Sequence, residues 1–299
     1  MLGRAMVLGQ LAALGTAACW AVTSIVFAES ARLIGSLRTN LLRLPVALVF
    51  LSVALVAGAG TFANLDRPRV GWLAASALIG LVAGDLAFFA ALERLGPRLA
   101  ALLMSLAPAF ATLAGVLLLG EIPGPVALAG MVLTLGGVAW VVSERHGGEA
   151  RPSAHQLRGV AIGVFSAACQ GLGLVLSKLG MAGGVAALPA TWIRIAVASA
   201  AIWALAALIR RLDAADLGAA VRRGWPFVVA GAFFGPFAGV WLSLAAVRLT
   251  DVGVAATLMS TTPLLLIPVV AVTERYRPTL RAVAGTILAI AGVALLFSR

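Results

Sequence analysis

One carboxylate, Asp85, lies deep inside a long apolar stretch of the sequence, residues 70–92. A charge near the middle of a membrane costs about 3 kcal/mol, so this side chain needs a partner, water or protonation. Two chemistries would use it: uptake of a proton, or binding of a positive group on a ligand. The structural alternative is an aspartate that is protonated or hydrogen-bonded within the fold.

Two arginines, Arg43 and Arg194, are the only cations placed within apolar stretches, at matched depths. Their long stems could carry the guanidinium to the membrane surface, which would make them anchors. The alternative is that a guanidinium fork binds a ligand carboxylate.

Glu121 and Glu274 end apolar runs, so we expect each to hydrogen-bond the next helix N-terminus or to pair with an arginine.

Aromatic side chains with small polar groups between them could line a cavity. The candidates are Asp85, Trp20, Phe88, Phe89, Ser105, Gln170, Trp241, Ser260 and Thr261. The alternative is that the aromatic rings pack against lipid and the polar groups bond across helices for stability.

Small residues and prolines mark positions where helices approach closely or bend. The candidate hinge and packing residues are Gly80, Gly84, Pro108, Gly235, Gly239 and Pro263. A helix face without side chains lets neighbouring backbones touch, and a proline removes one backbone donor. Static packing and a plain kink are the alternatives to a moving interface.

The elements that position these residues are membrane helices. The chain of 299 residues is 62% hydrophobic and 11% charged, and its mean hydropathy is +1.07. Apolar runs of about 20 residues are long enough to cross a membrane as helices. We predict an all-α membrane protein with ten spans, at 7–27, 36–58, 70–92, 97–119, 124–143, 157–177, 188–210, 225–247, 251–272 and 279–297.

The sequence repeats itself at an offset of 155 residues. "ALLMSLAP" at 101–108 matches "ATLMSTTP" at 256–263, and the same offset pairs Gly80 and Gly84 with Gly235 and Gly239. We therefore predict a duplication of five helices, with repeats at 1–143 and 157–299 and a polar linker at 144–156. Because five is odd, the second repeat enters the membrane from the opposite side, as in many secondary transporters.

The net charge of +11 does not indicate nucleic-acid binding, because the cations are scattered through the loops. When cations at the ends of spans are assigned to the connection they adjoin, 14 of 20 fall in the odd-numbered connections, so the positive-inside rule places the linker in the cytoplasm and both termini outside. No phosphate-binding loop, metal-ligand spacing or catalytic cluster is present in the sequence, so we expect no cofactor, no metal and no enzyme activity.

One lysine among 22 cations, with abundant Ala, Gly and Arg, is typical of a GC-rich bacterial genome.

The segments "AALLMSLAPAFATLAGVLLLGE" (100–121) and "AATLMSTTPLLLIPVVAVTE" (255–274) resemble the EamA domain of the drug/metabolite transporter superfamily. The resemblance occurs twice in register and covers almost the whole chain. It implies two five-helix halves and a secondary transporter, exporting or exchanging small metabolites such as amino acids or aromatic compounds.

We expect this transporter in a bacterial inner membrane, as a monomer or homodimer in the lipid bilayer, with a small-molecule substrate. The alternatives are an exchanger or importer of sugar-linked or phosphorylated metabolites, which would need more central cations, and a non-transporting membrane scaffold.

Overall fold

A computed structural model describes residues 2–58, 60–142, 154–209, 214–265 and 279–297. In these ranges every regular element is helical. The first half contains α1 (Leu2–Ile34), α2 (Ser36–Val56), α3 (Arg67–Ser76), a π-helical turn (Ala77–Gly84), α4 (Asp85–Met104), α5 (Ala107–Leu119) and α6 (Pro125–Val142). The second half contains α7 (Ala154–Gly180), a short 3-10 turn (Ala182–Gly184), α8 (Ala187–Leu208), α9 (Ala214–Ala232), a second π-helical turn (Phe233–Gly239), α10 (Val240–Leu249), α11 (Val252–Met259) and α12 (Leu280–Phe297).

Length and hydropathy identify a multi-pass membrane protein. Within the described residues, six helical stretches are long and apolar enough to cross a membrane, and four shorter helices are also apolar. The prediction of an all-helical membrane protein is therefore confirmed, while the exact number of ten crossings stays a prediction.

Local sequence determines where several helices begin and end. Asp66 caps α3 by accepting a hydrogen bond from the backbone N–H of Arg69 at 2.9 Å, with a proline in the first helical turn. Gly35 separates α1 from α2 with a φ of 84° and a ψ of 151°, a conformation of positive φ that glycine adopts without strain. Gly120 ends α5 in the left-handed helical region, with a φ of 68°.

Helix α4 turns back on itself within its length. Side-chain atoms of Ala91 and of Leu103 both lie within 3.5 Å of an ideal Cβ built on Gly163 in α7. A straight helix would separate residues 12 apart by about 18 Å. The chain therefore reverses between them, around Gly96 and Pro97, where the sequence predicts the boundary between the third and fourth spans.

The two π-helical turns occupy equivalent places in the two halves. The first ends at Gly84 and the second at Gly239, which the offset of 155 residues relates to each other. Each turn shifts the register of the helix that follows it, which begins at Asp85 in one half and at Val240 in the other. The turns thus orient the side chains at these two equivalent positions.

Helices α6 and α12 pack against each other through equivalent glycines. An ideal Cβ on Gly137 would lie 2.5 Å from the carbonyl oxygen of Gly285, and one on Gly130 would lie 3.0 Å from that of Gly292. Gly285 and Gly292 are the repeat equivalents of Gly130 and Gly137. The contacts are therefore reciprocal and antiparallel, as a two-fold relation between the halves requires.

We predict that Gly137→Ala destabilises the protein by about 1–3 kcal/mol, because the added methyl group overlaps the α12 backbone. Gly136→Ala is the matched control: an ideal Cβ there meets no atom within 4 Å. That control should keep or slightly raise the thermal unfolding midpoint in detergent, since alanine favours helix by about 1 kcal/mol over glycine. Equal midpoints for the two variants would contradict the close packing of α6 on α12.

Candidate functional site

A cavity of about 380 Å³ lies between the two halves, within the size range of small-molecule sites. Helices α1, α2, α4, α5 and α6 and the first π-helical turn contribute to its walls from the first half, and α7, α8, α10, α11 and the second π-helical turn contribute from the second half. Most of the surface is apolar, and among the described residues three charged side chains, Arg43, Asp85 and Arg194, reach it.

Many of the residues singled out in the sequence lie together around this cavity. Those that line it are Trp20, Arg43, Asp85, Phe88, Ser105, Pro108, Gln170, Arg194, Gly235, Ser260 and Pro263. They come from both halves, so neither half forms the cavity alone.

Three of the nine cavity candidates are not among the lining residues. The ring of Trp241 packs on Phe237, with centroids 5.9 Å apart. Phe89 packs edge-on against Phe88 at 5.8 Å, and Thr261 is buried and donates a hydrogen bond to the carbonyl of Leu258 in α11.

Several lining residues were not among the candidates, notably Thr23, Ser24, Ser243 and the methionines Met104 and Met259. Helical spacing offered one signal for some of them. Ser243 lies three residues after Val240 and is the repeat equivalent of Phe88, which lies three residues after Asp85. Residues three apart share a helix face, so the repeat and the spacing together could have identified Ser243.

Asp85 is held by two partners on its two carboxylate oxygens. Arg43 Nη2 donates to Oδ2 at 2.5 Å, and Gln170 Nε2 donates to Oδ1 at 2.8 Å. The pair is largely buried, with 13% of the Arg43 side chain and 20% of the Asp85 side chain exposed. The Arg43 guanidinium also lies over the ring of Phe27, 5.6 Å from its centroid. Arg43 therefore points into the bundle and does not reach the membrane surface.

Arg194 lies in the same cavity but lacks an equivalent partner. It is 4% exposed, and its Nε has no acceptor among the described residues. Its Nη2 atom lies 3.5 Å from the ideal Cβ position of Gly80, so the guanidinium is in van der Waals contact with that position. Asp85 attracts Arg194 electrostatically, yet no hydrogen bond joins the two in the part of the chain that the structure describes.

Glycines bring the cavity walls together. An ideal Cβ on Gly84 would lie 3.2 Å from Gln170 Nε2, so glycine there allows α7 close enough for Gln170 to reach Asp85. In the second half, an ideal Cβ on Gly239 would lie 2.8 Å from Nε1 of Trp20 in α1. The segment "AAC" at 17–19 matches "AAC" at 167–169 at an offset of 150 residues, which makes Trp20 the repeat equivalent of Gln170, so the two halves use the same packing at equivalent positions.

A second polar cluster joins the two halves beyond one end of the cavity. Glu121, just after α5, pairs with Lys178 in α7 at 2.5 Å and accepts a hydrogen bond from the backbone N–H of Val252 at 2.7 Å. Lys178 also donates to the carbonyl of Thr250 at 2.7 Å. The helix N-terminus that Glu121 reaches is thus that of α11 and not of the next helix, and its cation is a lysine and not an arginine. The equivalent residue Glu274 lies outside the described residues.

Nothing in the described part of the chain resembles a centre for covalent chemistry or metal binding. No group of three His, Cys, Asp or Glu side chains gathers there. The cavity offers ion pairing, hydrogen bonding and apolar contact, which are the interactions that bind a small molecule reversibly.

Comparisons with known proteins agree with this description. The family model described as "EamA-like transporter family" matches residues 7–143 and, a second time, residues 157–298. No curated protein matches the sequence. One solved crystal structure of a protein has 21% sequence identity and covers 96% of this chain and 95% of its own, with a TM-score of 0.74. At that identity the likeness supports the fold alone.

Proposed function

The chain belongs to the EamA-like transporter family, and we propose that it is a secondary transporter that exports small organic metabolites such as amino acids or aromatic compounds. Membership establishes a multi-pass membrane transporter of the drug/metabolite transporter superfamily. The direction, the substrate class and the placement in a bacterial inner membrane are part of the proposal.

The observation that carries this proposal is the charged cavity between the two halves. Charged side chains inside a membrane bundle are energetically costly and therefore mark binding or ion-movement sites, and Arg43, Asp85 and Arg194 converge here. A membrane scaffold would have no need for such a cavity. An exchanger of phosphorylated metabolites would need more cations than these two arginines provide.

We propose that transport proceeds by alternating access of ten spans in two inverted halves. The Glu121–Lys178–Val252 cluster connects the halves at one end of the cavity and would have to separate for that end to open. Since the repeats are equivalent, a matching contact in the other half could close the opposite end in turn. The reciprocal packing of α6 on α12 supports a two-fold axis between the halves, around which such an exchange would occur.

Asp85 has two proposed roles, both of which involve its pairing with Arg43. It takes up the coupling proton, which releases the Arg43 guanidinium, or it holds a positive group on the substrate in competition with that guanidinium. Either role changes the charge state of the cavity during the transport cycle.

The proposed pathway predicts that a bulky residue at the cavity wall blocks transport. Ser24 lines the cavity and is exposed, so Ser24→Trp should fold yet obstruct the space. Ile25→Trp is the matched control, because Ile25 is 45% exposed and is not part of the lining. Substrate counterflow in proteoliposomes, screened with labelled amino acids and aromatic metabolites, should be lost in Ser24→Trp and kept in Ile25→Trp. Equal counterflow in both variants would place the pathway elsewhere.

The role of Asp85 predicts that Asp85→Asn folds but lowers the initial transport rate about tenfold, or removes its pH dependence, because a charge-assisted hydrogen bond is worth about 1.5–3 kcal/mol. Glu29→Gln is the control: this carboxylate pairs with Arg32 in α1, away from the cavity lining. Transport rates across a pH series measure the effect. Normal rates with an unchanged profile in Asp85→Asn would leave Asp85 with a structural role only.

A further inference from the structure

We propose that the cavity selects organic acids with a single negative charge, and that Arg194 binds their carboxylate. This inference rests on the proposed transport function and narrows its substrate class to carboxylic acids without an ammonium group, so that zwitterionic amino acids, and with them the role of Asp85 in holding a positive group, are set aside. It follows from four features of the described residues: the charge balance of the cavity, the Arg194 Nε without an acceptor, the asymmetry of the repeat and the apolar wall.

The charges that line the cavity in the described part of the chain do not cancel. There, two guanidiniums, Arg43 and Arg194, face one carboxylate, Asp85, which leaves one positive charge in excess. Asp85 is already engaged on both oxygens, by Arg43 and by Gln170. A buried charge without a counter-charge is unfavourable in a low-dielectric interior, so a bound anion would relieve it.

Arg194 is the cation that remains available for such an anion. Its side chain lines the cavity and is only 4% exposed to solvent. Its Nε has no acceptor among the described residues. A guanidinium presents its donors in a planar fork that matches the two oxygens of a carboxylate. A ligand carboxylate would therefore supply both the missing charge and the missing acceptor.

The duplication shows why Arg194 lacks a counter-charge. The segment "LRL" at 42–44 matches "IRI" at 193–195 at an offset of 151 residues, which makes Arg43 and Arg194 equivalent, and the offset of 155 makes Val240 the equivalent of Asp85. Both Asp85 and Val240 follow a π-helical turn and both line the cavity. Each half therefore has the arginine, but only the first half has the carboxylate that neutralises it.

The surroundings favour a monoanion with an apolar body. The same cavity is lined by aromatic, thioether and aliphatic side chains, those of Trp20, Phe88, Met104, Leu174 and Met259. One excess positive charge balances one carboxylate, whereas a phosphate monoester with two negative charges would leave a buried charge uncompensated. A zwitterion would need a further anionic group, and Asp85 could serve it only by leaving Arg43.

The test restores in the second half the counter-charge that the first half contains. Val240→Asp mirrors the Asp85 position and should neutralise Arg194 internally, so that a ligand carboxylate no longer gains by binding there. Val240→Asn is the matched control, since it has nearly the same size and polarity without the charge. Thermal unfolding of both purified variants establishes that they fold, and Arg194→Gln provides a second way to remove the site.

The probes are 3-phenylpropionate, indole-3-acetate and 4-methylpentanoate, each with its primary amide, and phenyl phosphate. Equilibrium titration of the purified protein should show that at least one acid binds about tenfold more tightly than its amide and than phenyl phosphate. Val240→Asp and Arg194→Gln should weaken that acid about tenfold or more, while Val240→Asn stays within about threefold of the original chain. Equal affinity for acids and amides, or unchanged acid binding in Val240→Asp, would overturn the assignment.

The same variants separate this inference from the proposed function. If neutral or cationic compounds still show counterflow in Val240→Asp, that result would uphold the transport function and reject the carboxylate site. The converse result is that acids bind in a manner that depends on Arg194 but none of them is transported in proteoliposomes. That result would uphold the site and reject the transport function.

Discussion

A charge in the middle of a membrane bundle has to be neutralised from within, and the pair formed by Arg43 and Asp85 meets that constraint here. The pair requires α2 and α4 to present these side chains at one depth, and Gln170 adds α7 to the same contact. Gly84 must lack a side chain so that α7 can approach, and the π-helical turn before Asp85 sets the direction in which the carboxylate points. The cavity then forms around this fixed group.

The duplication supplies a second copy of the same framework and changes its chemistry. Around Val240 the arginine, the π-helical turn and the close packing of a glycine against the first helix of the other half recur, but Val240 stands where Asp85 stands in the first half, and the glycine there meets Trp20 where Gly84 meets Gln170. The backbone arrangement is therefore nearly symmetric while the charge distribution is not. Under the proposed function, this difference would let a site between two equivalent halves hold an unsymmetric molecule in one orientation.

The family, the membrane character and the repeat were predictable from the sequence, because hydropathy and repeated motifs depend on composition and spacing along the chain. The position of Asp85 inside an apolar stretch was also readable, which is why it was singled out. The rotation of each helix about its axis was not readable, because tertiary packing sets it. For this reason Trp241 was a candidate for the cavity but is not among the residues that line it, and Arg43 offered an anchoring interpretation although it pairs with Asp85 at the cavity. The partner of Glu121 depends on contacts between distant segments, which local sequence does not specify.

The account depends on the two halves separating where Glu121, Lys178 and Val252 now join them, and a distance measurement tests this directly. Spin labels on Ile122 and Leu249, which are exposed residues on either side of this contact, would report the separation in a variant without Cys19 and Cys169. Pulsed dipolar spectroscopy in proteoliposomes should show a short distance alone and a second, longer population once a transported substrate is added. One unchanged short distance in vesicles that are actively transporting would contradict alternating access through this cavity.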